Sequence, residues 1–480
     1  MTLPARIARH VVRLRASGVL ALVLLFVVSL PAVTPRLYAS DEIEYFAYLR
    51  SLWFDRDLSF DNEYRYFYER GIARAHGFHE TFLELTTETG LRLNFGTIGS
   101  ALLWAPMYGV ADLGVRVARA AGSPVEADGF SRPYLAAVAF GSAFYGFLAV
   151  LLSVFVARRI VGQGQVAAAI VWIGTPLPFY MYLAPGMAHA CSAFAVAAFV
   201  AVWLIVRERW STRGLMALGA VAALMAMVRE QDAFCLVGPA LDWVWTLAND
   251  LAARGDGDRR ALVIRRLKAV LAGAAVFGLC ILPQAWAYLV LNGRLGPATS
   301  VSAKMRWTAP HALQVLFSPE HGLFFWTPLA LLCVAGLLAW SLAPPAGTEM
   351  GTSTRRIVIC LLVMFAAQVY VSGSVDTWTV AGSFGQRRFL GTSVALVTGL
   401  AALLHGARGW RRAALGGAIA LSVWWNLGLM AQFGAGMMDR QRLELARNAH
   451  NTFVAVPRAA PILAYRYLFD RASFYRPSER

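Results

Sequence analysis

The run GVLALVLLFVVSLPAVT, residues 18–34, is the first of a series of apolar segments that decide the fold class. Hydrophobic residues make up 58% of the 480-residue chain and charged residues only 15%. A soluble protein could not bury that much apolar surface. The segments are continuous rather than alternating, which favours helices over an outer-membrane barrel. We therefore expect an all-α polytopic membrane protein.

About eleven transmembrane helices are expected, because each span needs roughly 20 apolar residues. The segments lie near 18–34, 132–157, 164–183, 187–206, 214–229, 232–248, 269–291, 321–342, 356–373, 389–405 and 412–434. The first is an uncleaved span rather than a signal peptide, since it has no clear small-residue cleavage site. Residues 1–434 then form a transmembrane domain and residues 435–480 a polar tail, an interfacial helix or a cap on the outer side.

The basic residues indicate the orientation of the spans. The chain has a net charge of +16, but Lys and Arg concentrate in short loops between apolar runs, which is typical of cytoplasmic loops and not of a nucleic-acid surface. With residues 1–17 inside, the segments 35–131, 292–320 and 374–388 and the tail lie outside. Residues 95–122 are then a helix at the membrane interface, because counting them as a span would invert every later loop.

The long outer segment 35–131 is acidic and carries its own predicted helices. Eleven of the 28 acidic residues fall between Asp41 and Glu88, and residues 42–54 have the pattern of an amphipathic helix. On that helix Asp41, Glu44, Tyr45 and Tyr48 share one face. Helix capping, with Asp41 as N-cap and Glu44 three positions later, is the structural alternative. It leaves unexplained why Glu42 is acidic and why the cluster follows a span directly.

The order of these segments resembles the GT-C superfamily of membrane glycosyltransferases. The matching stretches are Asp41 and Glu42, then YFAYLRSLWFDRDLSFDNEY, NFGTIGSALLWAPMYGV, LFSPEHGLFFWTPL (316–329) and TWTVAGSFGQRRFLG (377–391). Bacterial family 39-like members, related to protein O-mannosyltransferases and aminoarabinose transferases, are the most similar group. The resemblance covers most of residues 18–434 and is carried by order and spacing rather than by one specific motif.

The resemblance implies an inverting transferase in the bacterial cytoplasmic membrane, with its active site facing the periplasm or exterior. Such enzymes move a sugar from a polyprenyl-phosphate carrier to a glycan, lipid or protein acceptor. An acceptor hydroxyl is a poor nucleophile until a base takes its proton. By resemblance that base is Asp41, and Glu42 is a supporting acid. Glu44 is either a substrate-binding residue or a cap.

The phosphate leaving group calls for cations on the same side of the membrane. For each arginine the alternative is an interfacial residue whose head group reaches for water. His189 opens the fourth span and is either a structural hydrogen-bonding residue or part of the site. The expected cationic substrate-binding residues are Arg229, Lys304, Arg306, Arg387 and Arg388.

No cofactor is assigned from the sequence. The histidines have no HExxH spacing and the five cysteines no CxxC spacing. Some GT-C enzymes use a divalent ion at the acidic pair and others do not, so both possibilities stay open.

Two other functions have the same overall topology. A transporter or flippase of lipid-linked sugar should show repeated halves and charges near mid-bilayer, whereas here the ionisable residues collect on one face. A polymerase or ligase of lipid-linked glycans should lack the acidic pair after the first span. Both features favour the transferase.

Overall fold

A computed structural model describes residues 18–73, 75–343, 349–380 and 382–474. Within these residues extended backbone pairs only at two isolated bridges, Thr86–Arg92 and Met305–Val375, and the regular structure is otherwise helical. The all-α prediction is therefore confirmed. The basic start, residues 1–17, on which the predicted orientation depends, lies outside the described residues.

The first part of the chain forms eleven of the named helices. Longer connections occur between α1 and α5, where α2, α3 and α4 lie, and short turns join most of the others. The eleven are α1 (Gly18–Ala32), α2 (Ser40–Arg50), α3 (Asp61–Glu69), α4 (Gly99–Ala120), α5 (Arg132–Val161), α6 (Gln165–Gly174), α7 (His189–Val206), α8 (Thr212–Val228), α9 (Val237–Ala252), α10 (Asp256–Cys280) and α11 (Leu282–Asn292).

The second part contains several short helices before the last long ones. They are α12 (Thr299–Ser302), α13 (Ala312–Phe317), α14 (Leu323–Trp326), α15 (Pro328–Leu342), α16 (Glu349–Gly373), α17 (Ser393–Gly406), α18 (Trp410–Ala435), α19 (Leu445–His450) and α20 (Val456–Phe469). A 3₁₀ turn, Arg387–Thr392, leads directly into α17, and a second, Glu230–Leu236, joins α8 to α9.

Each predicted span overlaps helical structure, but the spans 164–183 and 321–342 are interrupted, and not every helix is long enough to cross a bilayer. Five of the described helices are long and apolar enough, or up to six if the pair α10–α11, bent by 46°, is one span. Others are shorter apolar helices: α1, α6, α8 and α15. The expected count of about eleven is therefore not confirmed. The bundle is centred on α7 and on the span Arg387–Gly406, which consists of the 3₁₀ turn and α17. In each of them 78% of the most apolar stretch is buried.

Glycines let two helix pairs touch backbone to backbone. A β-carbon on Gly336 of α15 would lie 1.9 Å from the carbonyl oxygen of Gly399 on α17. A β-carbon on Gly219 of α8 would lie 2.2 Å from the carbonyl oxygen of Gly273 on α10. Small residues allow this approach, and van der Waals contact then holds the helices together where no hydrophobic driving force acts between them.

A buried carboxylate fixes one end of the bundle. Asp242 on α9 is fully buried and pairs with Arg207, which follows α7, at 2.7 Å and with Arg356 on α16 at 3.2 Å. The indole nitrogen of Trp203 also donates to Asp242 at 3.1 Å. Two cations around one buried anion tie α7, α9 and α16 together at the end of α7 opposite His189.

In the long segment between α1 and α5, the other parts pack around α2. Helix α2 is buried around most of its circumference, so it is not the amphipathic surface helix that the sequence predicts. Arg50 at its end pairs with Glu63 on α3 at 2.9 Å and lies 4.5 Å from the ring centre of Phe130. The aromatic stretch 63–70 contributes Tyr64 and Phe67 to the core. These rings therefore stabilise the segment and do not face a ligand or a membrane surface.

The tail returns to the beginning of the chain. Arg471 donates to the carbonyl oxygens of Pro31, in the last turn of α1, and Val33, just after it, at 2.7 Å each. Helix α20 leaves Ile462 and Tyr465 exposed. The predicted interfacial helix or cap therefore corresponds to α19 and α20, and their place at the membrane stays a prediction.

We expect Gly336→Ala to lower the free energy of unfolding by about 1–3 kcal/mol, because the added methyl group must push α15 and α17 apart. Gly416→Ala on α18 is the matched control, since its β-carbon would meet no atom within 4 Å. Thermal unfolding of both purified variants in one detergent measures the difference. Equal melting temperatures would show that the glycine contact is not needed.

Candidate functional site

An ion pair joins the start of α2 to the turn before α17. The Oδ2 atom of Asp41 lies 2.7 Å from Nη1 of Arg387. Asp41 is 40% exposed, so its carboxylate stays accessible beside the arginine. Gln386 fixes the turn by donating to the carbonyl oxygens of His321 and Trp378 at 3.1 and 3.0 Å. A carboxylate that faces open space and has a cation at hand can accept a proton or hold a ligand.

Glu42 lies in a different environment from Asp41. It is fully buried, and its carboxylate accepts hydrogen bonds from the backbone nitrogens of Tyr38, Ala39 and Gly186, each at 3.1 Å. Burial raises the pKa of Glu42 to about 7, although these N–H groups oppose the shift. The side chain therefore holds the entry to α2 next to Asp41, and its role as a supporting acid stays a prediction.

The hydrogen bonds of Glu42 show how the start of α2 is capped, and the cap differs from the one that the sequence suggests. Helix α2 begins at Ser40 with Ala39 as the flanking residue, so Glu42 is the third helical residue and reaches back to the nitrogen of Ala39. Capping by Asp41 with Glu44 three positions on is therefore wrong. The pair Ala39 and Glu42 and the pair Asp41 and Glu44 have the same three-residue spacing, and the backbone uses the first pair.

Glu44 is buried one turn beyond Asp41. Its Oε1 atom accepts from the backbone nitrogen of Phe95 at 2.6 Å, and its carbonyl oxygen accepts from Asn94 at 2.9 Å. Burial first, and then the charge of Asp41, raise the pKa of Glu44 to about 8, against the opposing charges of Arg387 and Lys304. Glu44 is thus mostly neutral at pH 7 and contributes little negative charge to the site.

Arg229 places a second cation beside this face of α2. Its guanidinium contacts the imidazole ring of His189 at the start of α7, and its Nη2 atom donates to Gln231 at 3.1 Å. Burial raises the pKa of Tyr45 to about 12, and the charges of Arg229 and Arg387 both oppose that shift. Tyr45 therefore lies within the electrostatic field of both arginines.

Arg388 is the third cation. It donates to the carbonyl oxygen of Ser372 at 3.4 Å and to the hydroxyl of Thr377 at 3.2 Å. Its own carbonyl oxygen accepts from Gln231 at 2.8 Å. In the part of the chain that the structure describes, Arg229 and Arg388 have neutral partners and no ion pair with a carboxylate, so an anion could bind beside them without displacing one.

The two cations predicted in the 292–320 loop occupy different places. Lys304 is exposed, lies 5.6 Å from the ring centre of Phe95, and its charge reaches Glu44. Arg306 instead pairs with Asp376 at 2.9 Å on the exposed surface. Of the predicted residues, those that come together are Asp41, Glu44, His189, Arg229, Lys304, Arg387 and Arg388. Glu42 and Arg306 stand apart.

Two glutamines that the sequence did not single out organise the cluster. Gln231 connects Arg229 to the backbone of Arg388, and Gln368 donates to the carbonyl oxygen of Gln231 at 3.1 Å and to Asp232 at 3.3 Å. The hydroxyl of Ser192 donates to the other oxygen of Asp232 at 2.5 Å. A polar residue inside an apolar helix, such as Gln368 in α16, is the signal that could have found this network.

Among the described residues, no three His, Cys, Asp or Glu side chains form a group that could hold a metal ion.

Comparison with known proteins bears on the fold. No family model matches the chain, and no curated protein matches it. Among solved structures, the crystal structure of ArnT from Cupriavidus metallidurans bound to undecaprenyl phosphate is 16% identical, with 96% of this chain and 74% of that chain covered and a TM-score of 0.50. The apo state of ArnT is 14% identical over the same shares, with a TM-score of 0.45. The chain therefore shares the overall fold of the ArnT structure bound to undecaprenyl phosphate.

Proposed function

We propose that the chain is a glycosyltransferase that moves a sugar from a polyprenyl-phosphate carrier to an acceptor hydroxyl on the outer face of the bacterial cytoplasmic membrane. The observation that carries the proposal is the arrangement of three arginines beside one accessible carboxylate, Asp41. Arg387 pairs with that carboxylate, whereas Arg229 and Arg388 form no ion pair within the described residues. An ArnT structure with a similar fold contains undecaprenyl phosphate, which supports the same class of lipid here.

The charge balance of the cluster suits a phosphate. At pH 7 the charge of Asp41 offsets that of Arg387, and Glu44 is mostly neutral because its pKa is raised to about 8. Arg229, Arg388 and the nearby Lys304 then leave an excess of positive charge. Arginine binds phosphate oxygens through paired, charge-assisted hydrogen bonds, so a lipid phosphate or diphosphate is the anion that this cluster fits.

The geometry supports a direct displacement. Asp41 takes the proton of the acceptor hydroxyl while the hydroxyl oxygen attacks the anomeric carbon of the donor sugar. The bond between that carbon and the phosphate oxygen breaks, and the phosphate leaves with the electron pair. Arg229, Arg387 and Arg388 stabilise the charge that develops on it. The product is a glycoside of inverted configuration, a free polyprenyl phosphate and a protonated Asp41.

Donor binding and base activity are linked in this scheme. In the free protein Arg387 contacts the carboxylate of Asp41. A phosphate that binds Arg387 competes with Asp41 for the guanidinium. Donor binding then frees the carboxylate to contact the acceptor hydroxyl, which favours transfer after both substrates have bound.

The positions of the charged groups favour an enzyme over a transporter of lipid-linked sugar. The charged groups around α7 collect at its two ends, near His189 and near Arg207, and its interior is apolar. A substrate carried across the membrane would need a polar site near the middle of the bilayer.

Arg388→Gln should weaken the binding of undecaprenyl phosphate about 10- to 100-fold, because one charge-assisted contact to the phosphate is lost. Binding of radiolabelled undecaprenyl phosphate to the purified protein measures the affinity. Arg159→Gln is the control, since Arg159 in the last turn of α5 forms an exposed ion pair with Glu208. Equal affinities for wild type and Arg388→Gln would contradict the phosphate assignment.

Asp41→Asn should lower the rate of sugar transfer about 10²- to 10⁴-fold, which is the contribution expected of a general base. Binding of the lipid phosphate should be kept or strengthened, because Arg387 is released from its partner. The assay follows labelled sugar from a polyprenyl-phosphate donor in membranes, with the exposed Asp256→Asn as control. Unchanged transfer would remove Asp41 from the role of base.

The affinity for the lipid phosphate should fall as the pH rises through about 8. Glu44 has a raised pKa of about 8, so it is neutral below that pH and gains a negative charge above it. A phosphate monoester is already fully ionised above about pH 7, so repulsion should weaken binding about fivefold between pH 7 and 9. Glu44→Gln stays neutral and should flatten the curve of binding against pH. The same slope in both proteins would exclude Glu44 as its cause.

A further inference from the structure

A carboxylate beside the arginine cluster has no part in the proposed transfer. Glu230 follows Arg229 directly, and its carboxylate accepts a hydrogen bond from the hydroxyl of Tyr288 on α11. It forms no ion pair with a cation in the described ranges of the chain. Glu230 is exposed to solvent, yet the protein atoms around it raise its pKa. Both findings fit a side chain on the wall of an open cleft rather than on a convex surface.

Three hydrogen bonds from one segment bring Glu230 and Tyr288 to the face of α2 that carries Asp41. The nitrogen of Phe95 donates to Glu44 at 2.6 Å, which ties the segment to α2. The hydroxyl of Thr97 donates to the carbonyl oxygen of Val228 at 2.9 Å, two residues before Glu230. The nitrogen of Ile98 donates to Gln284 at 2.9 Å, and Gln284 lies one turn before Tyr288.

Glu230 and Tyr288 lie toward the far end of this helix face. Burial raises the pKa of Tyr48, and the charges of Glu44 and then Glu230 add to the rise, so Glu230 is within electrostatic reach of Tyr48. Asp41 and Tyr48 are separated by about 10 Å along α2, at a rise of about 1.5 Å per residue. The cleft thus has cations and the base at one end and a carboxylate with phenol groups at the other.

We propose that Glu230 and Tyr288 form a subsite for the hydroxyl groups of a sugar ring. The proposal rests on the proposed function and adds the place where the sugar is recognised. A carboxylate without a cationic partner can accept two or more hydrogen bonds, and a phenol can donate or accept one. Sugar hydroxyls supply matching donors. A lipid phosphate without a sugar has no group for this subsite, so the two ends of the cleft recognise different parts of the substrates.

The ring can belong to the donor sugar or to a glycan acceptor, and the experiment separates these sources. Glu230→Gln keeps an oxygen for Tyr288 but loses the charge, and Tyr288→Phe removes the phenol hydroxyl. Glu208→Gln and Tyr465→Phe are matched controls at exposed positions away from the cluster. The binding of undecaprenyl phosphate, the binding of the sugar-loaded polyprenyl phosphate and the KM for the acceptor are measured for each variant.

We expect both variants to bind sugar-free undecaprenyl phosphate as wild type does. Either the dissociation constant of the sugar-loaded donor or the KM of the acceptor should rise about tenfold, because a hydrogen bond to a charged group is lost. A rise for the donor assigns the subsite to the transferred sugar, and a rise for the acceptor assigns it to the acceptor glycan.

Two results would overturn the subsite. One is no change in either sugar-dependent constant, and the other is an equal loss for sugar-free and sugar-loaded lipid, which would mark a general distortion of the cleft. In both cases wild type still binds undecaprenyl phosphate and Arg388→Gln still weakens it, so the proposed function stands. If wild type binds no polyprenyl phosphate, the proposed function fails and the subsite fails with it.

Discussion

The ion pair between Asp41 and Arg387 is the contact around which the rest of the site is arranged. Its partners are 346 residues apart in the chain, one at the start of α2 and the other in the turn that leads into α17. The helices that lie between them in sequence bring the start of α2 and the start of this turn together. The helices of the bundle therefore serve as a scaffold that holds a charged pair at the edge of an apolar core.

The cluster illustrates how burial separates acids that are neighbours in sequence. Asp41, Glu42 and Glu44 lie within four residues, but only Asp41 has an ion-pair partner and substantial exposure. Glu42 is held by backbone nitrogens, and Glu44 by one nitrogen and a surrounding of protein atoms that keeps it mostly neutral. In the proposed function these three chemically similar groups are a base, a residue that caps α2 and a mostly neutral side chain beside the base.

Much of this could be predicted from the sequence, and the exceptions have physical reasons. Apolar runs indicated helices reliably. The stretch SFGQRRFLG predicted that Arg387 and Arg388 bind substrate without choosing between them, and the fold shows that Arg387 is the one that pairs with Asp41. Apolarity alone could not tell a full span from a shorter helix, as α6 and α15 show. The ion pair between Arg306 and Asp376 could not be foreseen, because a charge pattern does not reveal a partner seventy residues further along the chain. Gln231 was missed because a neutral amide carries no motif, and its hydrogen bonds to Arg229, Gln368 and the backbone of Arg388 exist only in the fold.

The contact between Gly336 and Gly399 also bears on the site. Backbone in contact with backbone leaves no side chains between α15 and α17 at this point that could rearrange. The turn that carries Arg387 is continuous with α17, so a close helix contact lies behind this arginine. Asp41 instead stands at the start of α2. In the proposed transfer, a phosphate that takes Arg387 from Asp41 would meet an arginine whose backbone is anchored by glycines, and the carboxylate is the partner that would have to give way.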